Sequence, residues 1–344
     1  MSSLPPGKVT SFDIAYLAGV SQPTVSRALR GDRAVSLATR ERIERIAREL
    51  NYAVDKNASS LRSQRSNTIA LLFFEDPTPD AGHINPFFLT MLGSITQAAS
   101  ARGLDLLVSF QRMEDDWHTR YQDSHRADGL ILLGYGDHML YQERLKQLAR
   151  QGTRFVRWGP VEGCGSAVVG SDNFGAGQLV GEHLLSIGCR KIAFLGQADG
   201  SYPEFEARFL GLASALDAAG AEPAVQRNAL NSEDEGYSAV TALLDAGASF
   251  DAVFTGSDLI AIGAMRALVE RGIAVPGEVA VVGFDNIPAA ALTTPPLTTI
   301  VQDTARAAEA LVEALVEQIN TGETRGAVLP AALVVRNSTA RSRT

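Results

Sequence analysis

The chain has 344 residues, 45% of them hydrophobic and 20% charged, with a formal net charge of −8. No apolar run approaches the roughly 18 residues of a membrane span, no secretory leader precedes the first helix, and Cys164 and Cys189 are too few and too far apart for a metal cage or a disulfide framework. These features predict a cytoplasmic protein without metal or cofactor, of two or three domains at roughly 150 residues each.

Val9 to Leu29 reads as two short helices broken at one glycine, the layout of a helix-turn-helix. Ile14, Leu17 and Ala18 recur at the spacing of a helix face, Gly19 supplies a permissive turn, and Ser21 stands where an N-cap accepts a backbone N–H. The second helix runs from about Gln22 to Leu29, with Pro23 tolerated in its first turn. Val25 and Leu29 are expected to face a small core, which leaves Gln22, Thr24, Ser26 and Arg27 to phosphates and base edges. Ser36 caps a third helix to about Leu50, with Ile43, Ile46, Ala47 and Leu50 on one face. Asn51 and Tyr52 end it, and the polar stretch from Lys56 to Arg62 is too short to hold a helix alone in water. The basic charge is local to this head. Residues 1–66 hold 11 Lys and Arg against 6 Asp and Glu, whereas the remainder holds 20 against 33, a division that suits phosphate neutralisation by a small head on an acidic body.

From Thr68 the pattern changes to short apolar runs separated by helical segments: 69–74, 104–108, 129–133, 154–157, 167–169, 191–195, 252–254 and 279–282. Buried strands alternating with helices predict an α/β body with parallel sheets covered on both faces, either one large sheet or two smaller ones flanking a cleft. Three of these strands end in Gly170-Ser171-Asp172, Gly256-Ser257-Asp258 and Gly283-Phe284-Asp285. Ligands of doubly wound sheets bind outside the carboxyl ends of strands, where ionised carboxylates accept hydrogen bonds from hydroxyls. A helix N-cap is the alternative use for each aspartate. Arg208 either reaches the same cleft or lies on the surface, and Phe87 and Phe88 in Asn85-Pro-Phe-Phe88 either stack on a ligand ring or pack in the core. The loop from Glu75 to Asn85 is long enough to bring Asp80 or His83 to the cleft mouth. There is no phosphate loop, no dinucleotide fingerprint, no zinc-protease helix and no nucleophile elbow, and the five histidines form no ligand spacing, so the chain is not read as an enzyme.

The head resembles that of the lactose/galactose repressor (LacI/GalR-type) family through Val9-Thr10, Asp13-Ile14-Ala15, Ala18-Gly19-Val20-Ser21, Thr24-Val25-Ser26-Arg27, Val35-Ser36, Thr39-Arg40 and Leu50-Asn51-Tyr52. The likeness continues through Asn85-Pro86-Phe87-Phe88, Asp128-Gly129-Leu130-Ile131, Asp172-Asn173, His183-Leu184, Arg208 with Gly211, Val275-Pro276, Val282-Gly283-Phe284-Asp285 and Pro296-Leu297-Thr298-Thr299. The resemblance implies a small all-α helix-turn-helix head plus a two-lobed α/β body with the periplasmic-binding-protein-like fold. It places the DNA-binding domain at 8–52, a hinge at 53–66 and an effector-binding and dimerisation domain at 67–344, with lobe 1 at about 67–167 and 299–328 and lobe 2 at about 168–298 and 329–344. It implies DNA contacts by Thr10, Ser21, Gln22, Pro23, Thr24, Ser26, Arg27, Tyr52 and Ser60, with Leu61 as a minor-groove wedge. Effector contacts carry over to Phe87, Phe88, Asp172, Arg208, Asn231, Ser257, Asp258 and Asp285. Three positions depart from the family pattern: Ala53-Val54-Asp55 where Pro and Asn are usual, Pro23 without a side-chain donor at a base-reading position, and Ser257 where Asn is usual.

The expected function is a homodimeric transcriptional regulator that binds a pseudo-palindromic operator in double-stranded DNA and is released by a small sugar. The alternatives are a ligand that acts as corepressor, and a sugar-metabolising enzyme carrying a DNA-binding head.

Overall fold

The computed structural model describes residues 9–29, 31–52, 65–74, 84–111, 116–134, 138–160, 167–323 and 325–340. The chain divides into two compact units, 1–66 and 67–344. Ser60, Leu61, the Ala53–Asp55 departure, Asp80, His83 and Cys164 lie outside the described residues.

The first unit contains α1 (Ser11–Ala18), α2 (Gln22–Leu29) and α3 (Leu37–Glu49). Gly19 ends α1 at φ 62°, a left-handed conformation that costs a residue without a Cβ little. At the start of α3 the Ser36 hydroxyl accepts the Thr39 N–H at 3.3 Å, which answers one of the donors a helix leaves open at its N-terminus. The core is Ile14, Ala15, Ala18, Val25, Ala28, Ile43 and Ala47. Two expectations are corrected here: Leu17 is 46% exposed, its place on the α1 core face taken by Ala15, and Ala28 is buried where Leu29 only packs at the margin. With helices this short and close, small alanines fit between the axes where leucines do not.

In the second unit the described residues form two six-stranded sheets. The strands are β1 (Thr68–Phe74), β2 (Asp105–Gln111), β3 (Gly129–Leu133), β4 (Phe155–Trp158), β5 (Ala167–Ser171), β6 (Ile192–Leu195), β7 (Val225–Arg227), β8 (Ala252–Thr255), β9 (Ala280–Asp285), β10 (Thr298–Gln302), β11 (Ala327–Leu329) and β12 (Ala331–Val334). The first sheet has the order β11-β5-β4-β3-β1-β2 and the second β12-β10-β9-β8-β6-β7. Every pairing is parallel except β10 with β12. The helices are α4 (Pro86–Ala101), α5 (His138–Arg150), α6 (Asn173–Ser186), α7 (Pro203–Ala218), α8 (Glu233–Asp245), α9 (Asp258–Glu270) and α10 (Thr304–Thr321). They cover both faces of both sheets, which is why β3, β4, β6, β8 and β9 are buried at every residue. None of the described helices is long and apolar enough to cross a membrane.

The chain passes between the sheets three times, after β5, after β10 and between β11 and β12. These crossings, at Asp172, Asp303 and Pro330, come later than the expected 167, 299 and 328, because β5 and β10 each complete their pairing before the chain leaves. Lobe 1 is therefore 67–171 with 304–329, and lobe 2 is 173–302 with 331–340.

Lobe 2 is held by two helix pairs that meet backbone to backbone. A Cβ on Gly177 of α6 would fall on the Arg208 carbonyl of α7, and one on Gly211 would fall on the Phe174 carbonyl. Gly236 and Gly263 make the same approach between α8 and α9, against Ile260 and Glu233. The C-terminal segment closes the same lobe. His183 Nε2 lies 3.0 Å from the Thr339 hydroxyl, and Thr298 N–H donates to Ser338 Oγ at 2.7 Å.

Gly177→Ala and Gly263→Ala should each lower the urea unfolding free energy by about 1–3 kcal/mol, the cost of overpacking. Gly93→Ala, on an exposed face of α4 with open space around it, should leave it unchanged or raise it by up to about 1 kcal/mol. Burial lowers the His183 pKa below its ordinary 6.5. The folded state then holds this proton less readily than the unfolded state, and stability falls as pH drops below about 6.5. The unfolding midpoint of His183→Gln should therefore change less between pH 7.5 and 5.5 than that of the parent.

Candidate DNA-reading helix and effector cleft

In the head, Ser21 precedes α2 and its hydroxyl lies 2.8 Å from that of Thr24. Gln22 Nε2 donates to Ser11 Oγ at 3.2 Å, which braces the start of α2 against α1. Pro23 and Arg27 are exposed and Thr24 and Ser26 half-buried, so α2 turns Val25 and Ala28 inward and presents a polar ridge outward. Thr10 gives both its N–H and its hydroxyl to Asp13 Oδ2, at 2.8 and 2.7 Å. These bonds hold the Asp13 carboxyl below its ordinary pKa. Tyr52 is half-buried, packed against the head core, with its N–H donated to Ala47 at 2.8 Å. Arg40 Nη2 bonds the carbonyls of Gly31 and Asp32 at 3.0 and 2.7 Å, tying α3 to the turn after α2.

In the body, the carboxyl ends of both sheets carry one chain of buried polar groups. Arg208 Nε donates to Asn173 Oδ1 at 2.8 Å, and Asn173 Nδ2 donates to the Ser171 carbonyl at 3.1 Å. Ser171 Oγ donates to Gln302 Oε1 at 2.6 Å, and Gln302 Nε2 donates to Asp285 Oδ1 at 2.7 Å. Arg208 also donates to the Gly256 carbonyl, and its guanidinium lies 3.5 Å from the Phe284 ring centroid, a cation–π contact. Nearby, Ser257 Oγ donates to Asn231 Oδ1 at 2.5 Å and caps α9 through the Ile260 N–H.

The three strand-end aspartates take three different uses. Asp172 is exposed and caps α6 by accepting the Gly175 N–H at 2.8 Å. Asp285 closes β9 at φ 106° and faces Gln302. Asp258 is fully buried; Oδ1 accepts Thr299 Oγ1 at 2.5 Å and Oδ2 accepts the Ile287 N–H at 2.8 Å. Burial first, and the charge of Asp285 second, push the Asp258 carboxyl well above the usual range. In this arrangement Asp258 clamps the sharp turn at Asp285 and Asn286, both at positive φ.

Of the two uses open to Phe87 and Phe88, the structure shows core packing, at 1% and 4% exposure at the start of α4. The Phe87 ring lies 6.0 Å from that of Trp158. Arg208 is no surface residue either, at 1% exposure. The structure adds Ser171, Gln302, Arg157, Trp158, Tyr202 and Glu204 to the strand ends and the start of α7. Position was their available signal: Arg157 finishes a predicted strand, Trp158 follows it directly, and Glu204 lies one turn before Arg208. Burial raises the Glu204 carboxyl pKa, against the pull of Arg208 and Arg157.

Comparison with known proteins decides the family. Residues 12–55 match the bacterial regulatory proteins of the lacI family, and residues 182–339 match a periplasmic binding protein-like domain. The ribose operon repressor of Escherichia coli (strain K12) is 31% identical over 90% of this chain and 93% of its own. The chain belongs to the lacI family of bacterial regulatory proteins. Among solved structures, the lac repressor dimer bound to operator and the anti-inducer ONPF superposes with a TM-score of 0.80 at 25% identity, covering 97% of this chain and 99% of that one. A complex of the transcriptional regulator CelR with cellobiose gives a TM-score of 0.68 at 31% identity, covering 96% and 99%. The protein is thus a lacI-family DNA-binding transcriptional regulator, with a helix-turn-helix head and a two-lobed body of parallel sheets.

Asp258→Ala strips partners from the Ile287 N–H and the Thr299 hydroxyl, and should destabilise the body by about 1–3 kcal/mol for each buried group left unpaired. Asp285→Asn, which leaves that clamp in place, should cost far less stability. Urea denaturation of both variants checks the contrast, and equal losses would contradict the separate uses assigned to the two carboxylates.

Proposed function

We propose that this lacI-family regulator is a homodimeric repressor whose operator affinity falls when a sugar binds between the lobes of its body. The reading rests on one observation above the rest: a buried polar chain from Arg208 to Asp285 joins the strand ends of both lobes at the crossings between them. Relatives with this architecture are crystallised with cellobiose, or with operator and an anti-inducer. A ligand whose hydroxyls engage Arg208, Asn231, Ser257 and Asp285 would compete for or extend bonds in that chain, and would favour one angle between the lobes. A ligand shifts an equilibrium only by its difference in affinity for the two states. The proposed coupling runs from lobe angle to the 53–66 hinge, and from there to the pairing of the two heads on DNA. The proposed contacts to DNA are those of Thr10, Ser21, Gln22, Pro23, Thr24, Ser26, Arg27, Tyr52, Ser60 and Leu61, with Arg27 the strongest because it alone among the α2 readers carries charge. The site of action is the cytoplasm, where the operator lies.

Fluorescence anisotropy of the full chain on DNA from upstream of its own gene, with and without a panel of sugars, tests the reading. An inducing sugar should weaken operator binding about 5- to 150-fold, the usual span of an allosteric coupling of 1–3 kcal/mol. Arg27→Ala should weaken operator binding while leaving sugar binding intact. A sugar that binds the body and tightens the operator complex would make the ligand a corepressor, and one that binds without any change would remove the linkage.

A further inference from the structure

One side-chain bond joins the two helices of the helix-turn-helix at their first residues. Ser11 opens α1 and Gln22 opens α2, and Gln22 Nε2 donates to Ser11 Oγ at 3.2 Å, with both side chains half-buried. Each end of the bond is anchored. Thr10 gives its N–H and hydroxyl to Asp13 and so fixes the first turn of α1, while the hydroxyls of Ser21 and Thr24 lie 2.8 Å apart across the first turn of α2. Ile14 and Ala18 share the head core with Val25 and Ala28, which holds the two helices together.

The bond changes what Gln22 can recognise. A glutamine amide has two N–H donors and one carbonyl acceptor. With one donor held by Ser11, the Gln22 amide offers a partner one donor and one acceptor. In the major groove adenine shows one acceptor, N7, and one donor, the N6 amino group, so the two edges are complementary. Guanine shows two acceptors, N7 and O6, and a glutamine needs both of its N–H groups to satisfy them. Thymine and cytosine each supply one polar partner only. The next residue of α2, Pro23, has neither a side-chain donor nor an N–H to replace the one held by Ser11. A long side chain already fixed in the free head also loses less freedom when it meets its base.

We infer that Ser11 is a positioning residue for sequence recognition: by holding one N–H of Gln22, it makes adenine, and not guanine, the base that Gln22 reads in each operator half-site. Ser11 needs no contact with DNA for this, because it acts through the amide it binds. The inference rests on the base contact proposed above for Gln22 and names the base which that contact selects.

Selection by the full chain from a duplex library randomised across two half-sites, followed by sequencing of the bound DNA, tests this in the parent, Gln22→Ala, Ser11→Ala and Ser11→Thr. The base pair read by Gln22 is the one whose preference disappears in Gln22→Ala. There the parent should prefer an A·T over a G·C pair by about 5- to 150-fold, the discrimination of one good bidentate contact. Ser11→Ala returns the second N–H to Gln22 and should lower that ratio about fivefold or more, at that position alone. Ser11→Thr, which keeps the hydroxyl, should retain most of it. A bond that only braced the helices would instead weaken binding to every sequence alike on removal. A melting curve of the full chain shows whether Ser11→Ala is folded; if it is not, Ser11→Cys, of similar size but a weak acceptor, takes its place. A parent that prefers G·C at this position, or a folded Ser11→Ala that keeps the parent's ratio, overturns the inference and leaves Gln22 as a base reader. A Gln22→Ala that selects the same sequence as the parent removes that reading as well, and a parent that selects no sequence overturns the proposed operator contacts with it.

Discussion

The body depends on a row of buried hydrogen bonds that no single lobe completes. Arg208, Asn173, Ser171, Gln302 and Asp285 come from α7, α6, β5, β10 and β9, and each is less than a tenth exposed. A buried polar group is tolerable only when its partners are present, so this row constrains where the strands of both sheets can end. Ser171 is the last residue of β5 in lobe 1, and Gln302 the last of β10 in lobe 2. Their bond sets the two sheets end to end at the places where the chain crosses. The proposed ligand chemistry and the chain topology therefore meet in the same few residues.

Around that row, lobe 2 achieves its close packing by removing side chains. Where α6 meets α7 and α8 meets α9, glycine lets one backbone lie directly against another, and the sheet between them receives the remaining apolar surface. Phe194, Phe254 and Phe284 fill one face, while Leu195, Val253 and Val281 fill the other. Arg208 benefits from this arrangement. Its carbonyl is pressed against Gly177 while its guanidinium lies over Phe284, so the helix that carries it is fixed at both edges.

Local signals were the legible ones. Gly19, Ser21 and Ser36 mark helix ends by backbone chemistry that depends on a few neighbours, and the head follows from them. Strands such as Gly129–Leu133 announce themselves because burial on both faces demands an unbroken apolar run. β10 is harder to see: it follows Pro295 and Pro296 and begins with two threonines, whose burial depends on Ser338, Thr339 and Asp258 from distant parts of the chain. The three Gly-x-Asp strand ends look alike as text, yet Thr299 and Ile287 turn Asp258 into an interior clamp while Gly175 makes Asp172 a cap. Arg157 lies on a strand foreseen from the sequence and Trp158 just past its expected end, but the burial of both follows from the sheet's position in the fold. Glu204 reads in isolation as an ordinary acid in the first turn of a helix.

One apolar cluster runs without a break through both lobes, from Phe73, Phe87 and Trp158 on one side to Tyr202, Phe205 and Leu195 on the other. The gap between the lobes is therefore a seam within a single hydrophobic interior, not a boundary between two modules that fold apart. Opening it wets apolar surface on both banks, at roughly 25 cal/mol per Å² exposed. Any change of lobe angle that parted the seam would therefore have to work against the hydrophobic effect at the amino acids that line it.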